Sequence, residues 1–188
     1  MIIKEQGLLR AMKEAYKGGG YKAMVYPVSG CNWLFVLCGY WLAGMDLQNA
    51  PRKVIGLIAE HLGKLPTVGE AYKLRKDEAQ KEIFDVAAGP VRDIVEKTAV
   101  IEGLPKVKRT RLEWDGSQIW QKDNLDIVKM NPDYTDVAKI GKQDDTRMAG
   151  VMLLLRGEIS LAAICGMTTS DAERHQMDHL AQLQWVDI

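Results

Sequence analysis

Residues 23–45, AMVYPVSGCNWLFVLCGYWLAGM, carry no charge between Lys22 and Asp46. A run this apolar must be buried in lipid or in a protein core, and a spanning helix needs roughly 20 unbroken apolar residues. Pro27, Ser29, Gly30 and Asn32 break the run, and its uninterrupted part, 31–45, falls short of that length. A core is therefore expected, with no membrane span. Tyr21 to Val28 and Asn32 to Tyr40 are rich in Val, Tyr, Trp and Phe and flank the turn Pro-Val-Ser-Gly-Cys-Asn, the pattern of a β-hairpin inside a sheet.

Helices are expected around this hairpin. Leu8, Leu9, Met12, Ala15 and Tyr16 share one face of residues 4–17, with Lys and Glu on the other, so that stretch reads as an amphipathic helix. Gly18, Gly19 and Gly20 terminate it. They precede a strand, whereas a phosphate-cradling loop leads into a helix with a Lys-Ser/Thr pair. Asn49 as N-cap, Pro51 in the first turn and Gly63 as stop frame a second helix through Val54, Ile55, Ile58 and Leu62. The charged segment 69–88 reads as a surface helix or helix pair, and Pro90 opens a further helix to about residue 102. Asp115-Gly116 then joins strands 106–114 and 117–121, with 125–130 as a third strand. The polar stretch 131–145 reads as a boundary, which divides the chain into an α+β domain, 1–140, built on the 21–40 hairpin, and a second unit, 144–188. The fold class is α+β: an antiparallel sheet with flanking helices plus a C-terminal module.

That module reads as three short helices. Met148, Val151, Met152 and Leu155 line the first, which Gly157 stops; Ser160 caps a second, LAAIC, closed by Gly166; Ser170 and Glu173 form a capping box for the third, with Met177, Leu180 and Leu183 buried. The stretch SLAAICGMTTSDAERHQMDHLAQLQWV resembles the second and third helices of winged-helix regulators. The resemblance spans about residues 146–186, without a wing, and implies a trihelical helix-turn-helix module.

Lys and Arg number 25, Asp and Glu 25, so net charge does not steer the whole chain toward nucleic acid or an anionic membrane. The charge is unevenly distributed, however. Residues 144–188 hold 3 basic and 7 acidic groups, a net charge of −4. A recognition helix gains affinity from phosphate contacts, and here Asp171, Glu173 and Asp178 face phosphate with Arg174. Lys106, Lys108, Arg109 and Arg111, with Trp114 and Trp120, combine charge and aromatics as single-strand binders do. These six residues, with Arg174, His175 and His179, are the candidate partner or nucleic-acid surface. His175 and His179 lie four apart, but their polar helix face has no metal-site pattern. Cys31, Cys38 and Cys165 keep no metal spacing, and the two in the hairpin behave as small hydrophobes in a reducing compartment. His61 follows Glu60 where an imidazole meets helix C-terminal carbonyls. No catalytic, cofactor or metal residues stand out. The expectation is a cytoplasmic, non-enzymatic regulatory or adaptor protein that binds another protein or itself, requires no cofactor and does not act at a membrane. A DNA-binding regulator is the alternative, and an enzyme assembled from scattered residues comes third.

Overall fold

The computed structural model describes residues 1–78, 81–99, 122–129, 137–140 and 152–165. Among these residues, strands β1 (Tyr21–Val28), β2 (Cys31–Leu37), β3 (Trp41–Asp46), β4 (Ala71–Leu74), β5 (Lys81–Glu82), β6 (Val137–Ile140), β7 (Met152–Gly157) and β8 (Ser160–Cys165) form one sheet in the order β5-β4-β1-β2-β3-β8-β7-β6. The named strand pairs are all antiparallel. Helices α1 (Glu5–Lys17), α2 (Arg52–Leu62), α3 (Phe84–Ala99) and the short α4 (Lys122–Leu125) complete the described elements. No helix among the described residues is long and apolar enough to cross a membrane.

The apolar run becomes the centre of this sheet. Val28 and Cys31 close the β1–β2 pair around Ser29 (φ 49°) and Gly30 (φ 82°), and two successive positive φ values are what a type I′ turn requires. The second arm ends at Leu37 rather than Tyr40, because the chain turns again and returns as β3, with Leu37 opposite Leu42. Alternation then feeds two cores. Ala23, Val25, Leu34, Val36, Ala43 and Met45 face one side, where Leu8 and Met12 of α1 and Val54 and Ile58 of α2 cover them. Met24, Trp33, Phe35 and Leu42 face the other, under Ala87, Val91 and Ile94 of α3. With both faces covered, central strands read as continuous apolar runs.

The same physics corrects the reading of the tail. Residues 152–157 and 160–165 are strands, not helices, and β8 lies between β3 and β7. Apolar residues at 148, 151, 152 and 155 match a helix period, but Leu154 belongs to one core and Leu155 to the other, which is strand geometry. Gly157 and Ser160 close a hairpin, where a helix stop and cap were expected. Strand β6, residues 137–140, lies within the expected boundary stretch 131–145 and belongs to this sheet. The expected third helix and residues 106–121 lie outside the described residues.

Other local expectations change for tertiary reasons. Asn49 is not a cap: its amide donates to Asp46 Oδ2 at 2.6 Å, inside a short 3₁₀ turn, and α2 starts after Pro51. Gly63 does stop α2 in the left-handed region (φ 82°), its N–H on the Ala59 carbonyl at 2.8 Å. Segment 69–88 is not a surface helix or helix pair; β4 pairs with β1 and β5 with β4, and α3 starts at Phe84. Pro90 lies inside α3 instead of opening it. An internal proline costs about 3 kcal/mol, and the continuous stripe Ala87, Val91 and Ile94 packed on the sheet offsets it. Of the expected strand 125–130, the described residues 125–129 hold the end of α4 and an isolated bridge between Ile3 and Val128 rather than a strand. The 124–129 segment pins the N-terminus: Lys4 N–H donates to the Ile127 carbonyl at 2.8 Å, Lys129 N–H to that of Ile2 at 2.7 Å, and Ile2 N–H to the buried Ser160 Oγ at 2.9 Å.

Candidate functional site

All nine sequence-derived surface candidates, Lys106, Lys108, Arg109, Arg111, Trp114, Trp120, Arg174, His175 and His179, lie outside the described residues. What the described chain brings together is a different group. Leu8 and Met12 face the core, so Tyr16, the next-to-last residue of α1, emerges where the helix meets α2. Gly18 N–H closes on the carbonyls of Glu14 and Ala15, and Gly20 N–H on that of Ala15, so the chain doubles back at once into β1. Its first residue, Tyr21, thereby faces the helical layer, fully buried. The last turn of α2 supplies His61.

These three rings form a tight cluster. The imidazole of His61 lies parallel to the Tyr16 ring, with centroids 3.6 Å and planes 6° apart. Tyr21 Oη lies 2.9 Å from His61 Nδ1. Burial pushes the Tyr21 phenol well above its ordinary range, helped by the nearby Tyr16 and Glu60, and burial also lowers the affinity of His61 for a proton, against the pull of Glu60 and together with the push of Lys13. Both groups are therefore neutral near pH 7, and a hydrogen bond joins Tyr21 Oη to a neutral imidazole at Nδ1, its donor set by the imidazole tautomer.

Stability should depend on pH through this contact. The folded state binds the His61 proton more weakly than the unfolded chain does, so the stabilisation is complete above pH 6.5 and is lost as the pH falls through the lowered folded-state value. In urea unfolding, wild type is expected to lose more stability than His61→Gln between pH 7.5 and pH 5, whereas parallel pH profiles would contradict a lowered proton affinity of His61 in the fold. Tyr21→Phe should cost about 1 kcal/mol at pH 7.5, the usual worth of such a bond.

Beside the rings is a hollow of about 330 Å³. The buried Leu57 and the half-buried Tyr16 and His61 make its floor, and the exposed Lys13, Lys17, Lys76 and Glu60 its rim. Among the described residues, no Ser or Cys lines it. A second hollow, of about 580 Å³, lies against the start of α1, with Lys4, Gln6, Arg10, Asp126 and Lys129 among its lining; Arg10 is committed there to Asp126 at 2.6 Å and Asp123 at 3.7 Å. The cysteines sit elsewhere. Cys31 is exposed at the β1–β2 turn, contrary to its expected role as a buried hydrophobe, while Cys38 and Cys165 are half-buried and burial raises both thiols.

Sequence reasoning placed His61 near helix carbonyls and gave Tyr16 and Tyr21 only packing or strand roles. The GGG turn was the one signal joining Tyr16 to Tyr21; nothing in the sequence connects either to His61, 40 residues further on. Comparison of the chain with protein-family models, curated proteins and solved structures finds no match.

Proposed function

We propose that this protein works without catalysis, as a regulatory or adaptor module that binds another polypeptide or a second copy of itself by adding a strand to its sheet. The observation behind this reading is the end of the sheet: β6 pairs with β7 on one side and, among the described residues, with nothing on the other. An open strand edge is a row of N–H and C=O groups ready for a further strand. The opposite end supports the choice of β6, because the terminal strand β5 is only 2 residues long and offers little to pair with. DNA binding is left out of this reading, because the helix-turn-helix pattern starts on residues that form β7 and β8.

Adjacent residues of a strand direct their N–H groups to opposite edges, so prolines at 138 and 139 separate the two sides of β6. One of Ala138→Pro and Lys139→Pro removes a donor from the outer edge and leaves the β6–β7 ladder intact. That variant is expected to stay folded by circular dichroism and to lose self-association in sedimentation, or capture of a polypeptide partner, by about tenfold or more. The other should loosen β6 itself. If both variants stay folded and associate like wild type, strand addition at β6 is wrong.

A further inference from the structure

We propose that the hollow between α1 and α2 is a binding site for a small organic anion, with its flat apolar body on the Tyr16–His61 stack and Leu57 and its acid group among Lys13, Lys17 and Lys76. The volume, about 330 Å³, lies at the lower end of the range for small-ligand pockets, which are apolar inside with a few polar groups that set orientation. The floor meets that description: Leu57 is 6% exposed, and the face-to-face stack of Tyr16 and His61 beside it adds flat aromatic surface on which a flat ligand can lie. The platform is held rigid from beneath by the bond between buried Tyr21 and His61 Nδ1, so little order has to be created on binding.

Charge selects the ligand's sign. Three ammonium groups against one carboxylate, Glu60, with a neutral imidazole, give the lining a net charge of +2. Lys17 and Lys76 do have acidic neighbours, Glu14 at 3.8 Å and Asp77 at 4.0 Å, but those contacts are long and solvent-exposed, and pairs of that kind are worth little. An incoming acid group competes with them easily. The larger hollow at the start of α1 lacks this combination, because its arginine is already held by two aspartates.

Phenyl phosphate is the probe, with inorganic phosphate and benzylamine as controls, followed by the ring-proton NMR signals of His61. The chain has 3 histidines, so His61→Gln identifies the His61 signal by its disappearance. Saturable shifts of His61 with phenyl phosphate are expected, with inorganic phosphate at least about tenfold weaker and benzylamine inactive. The exposed-site variant Lys13→Glu/Lys17→Glu should weaken phenyl phosphate by about tenfold or more, while Lys129→Glu, in the other hollow, leaves it unchanged. Absence of saturation, equal binding of inorganic phosphate, or equal binding of benzylamine would each overturn the proposal.

Discussion

Gly7→Ala is expected to destabilise the protein by about 3 kcal/mol or more, although alanine in a helix is ordinarily favoured over glycine by about 0.8–1 kcal/mol. A Cβ at position 7 would lie 1.9 Å from the Asp126 carbonyl oxygen, 2.6 Å from its carbon and 3.2 Å from Ile127 Cα. These are backbone atoms, and no rotamer change relieves the clash. Segment 124–129 has to move away from α1, which breaks its bonds to Lys4 and Ile2 and strains the Arg10–Asp126 pair. Leu125, Ile127 and Val128, all buried now, are then partly uncovered, and each is worth about 1.5–3 kcal/mol when fully buried. Gly56→Ala is the matched control, since a Cβ there meets nothing within 4 Å on the exposed side of α2. That change should stabilise by up to about 1 kcal/mol. Urea unfolding of both variants decides it: a Gly7→Ala protein as stable as wild type would mean that the 124–129 segment does not dock on α1 in this way.

Gly44→Val should cost a comparable amount, about 3 kcal/mol, against the strand preference that favours valine over glycine. Gly44 sits mid-strand in β3, opposite Phe35 on β2 and Leu161 on β8. The Phe35 ring lies over it: a Cβ at 44 would be 2.5 Å from Phe35 Cε1 and 3.1 Å from Leu161 Cδ1. A flexible side chain would give way, but this ring is fully buried, with Trp33 stacked at 6.2 Å and Tyr26 edge-on at 6.5 Å. Overpacking a core ordinarily costs 1–3 kcal/mol, and more where neighbours are boxed in. Gly44→Ala tests the cause more finely, because combining it with Phe35→Leu frees the space that the new methyl needs. The double variant should lose at least about 1 kcal/mol less than the sum of the singles. Strict additivity would show that the ring is not what reserves position 44 for glycine.

Both glycines make the same point about what a sequence contains. Gly7 in a helix and Gly44 in a strand look like local weaknesses, and each is instead a place where a neighbouring element leaves no room for a side chain. The proline inside α3 and the tail strands are similar cases. Met148, Val151, Met152 and Leu155 fit a helical period, and only the presence of β3 as a neighbour for β8, with a core on each face, makes strands of residues 152–157 and 160–165.

What the sequence determined by itself is local. The amphipathic stripe with its glycine stop made α1, the Ser29-Gly30 pair turned β1 into β2, Gly63 ended α2, and the absence of charge from 23 to 45 required a buried sheet. Each follows from residues within a turn or two of one another, where backbone sterics and side-chain period act directly. Only the tertiary structure decided that residues 152–157 and 160–165 are strands, that residues 137–140 join the same sheet, and that His61 meets Tyr16 and Tyr21. Those outcomes depend on which surfaces are available to bury against. A strand edge, a second core or a buried hydroxyl is provided by residues far away in the chain, and the free energy of pairing with it exceeds the small local preferences of the segment itself.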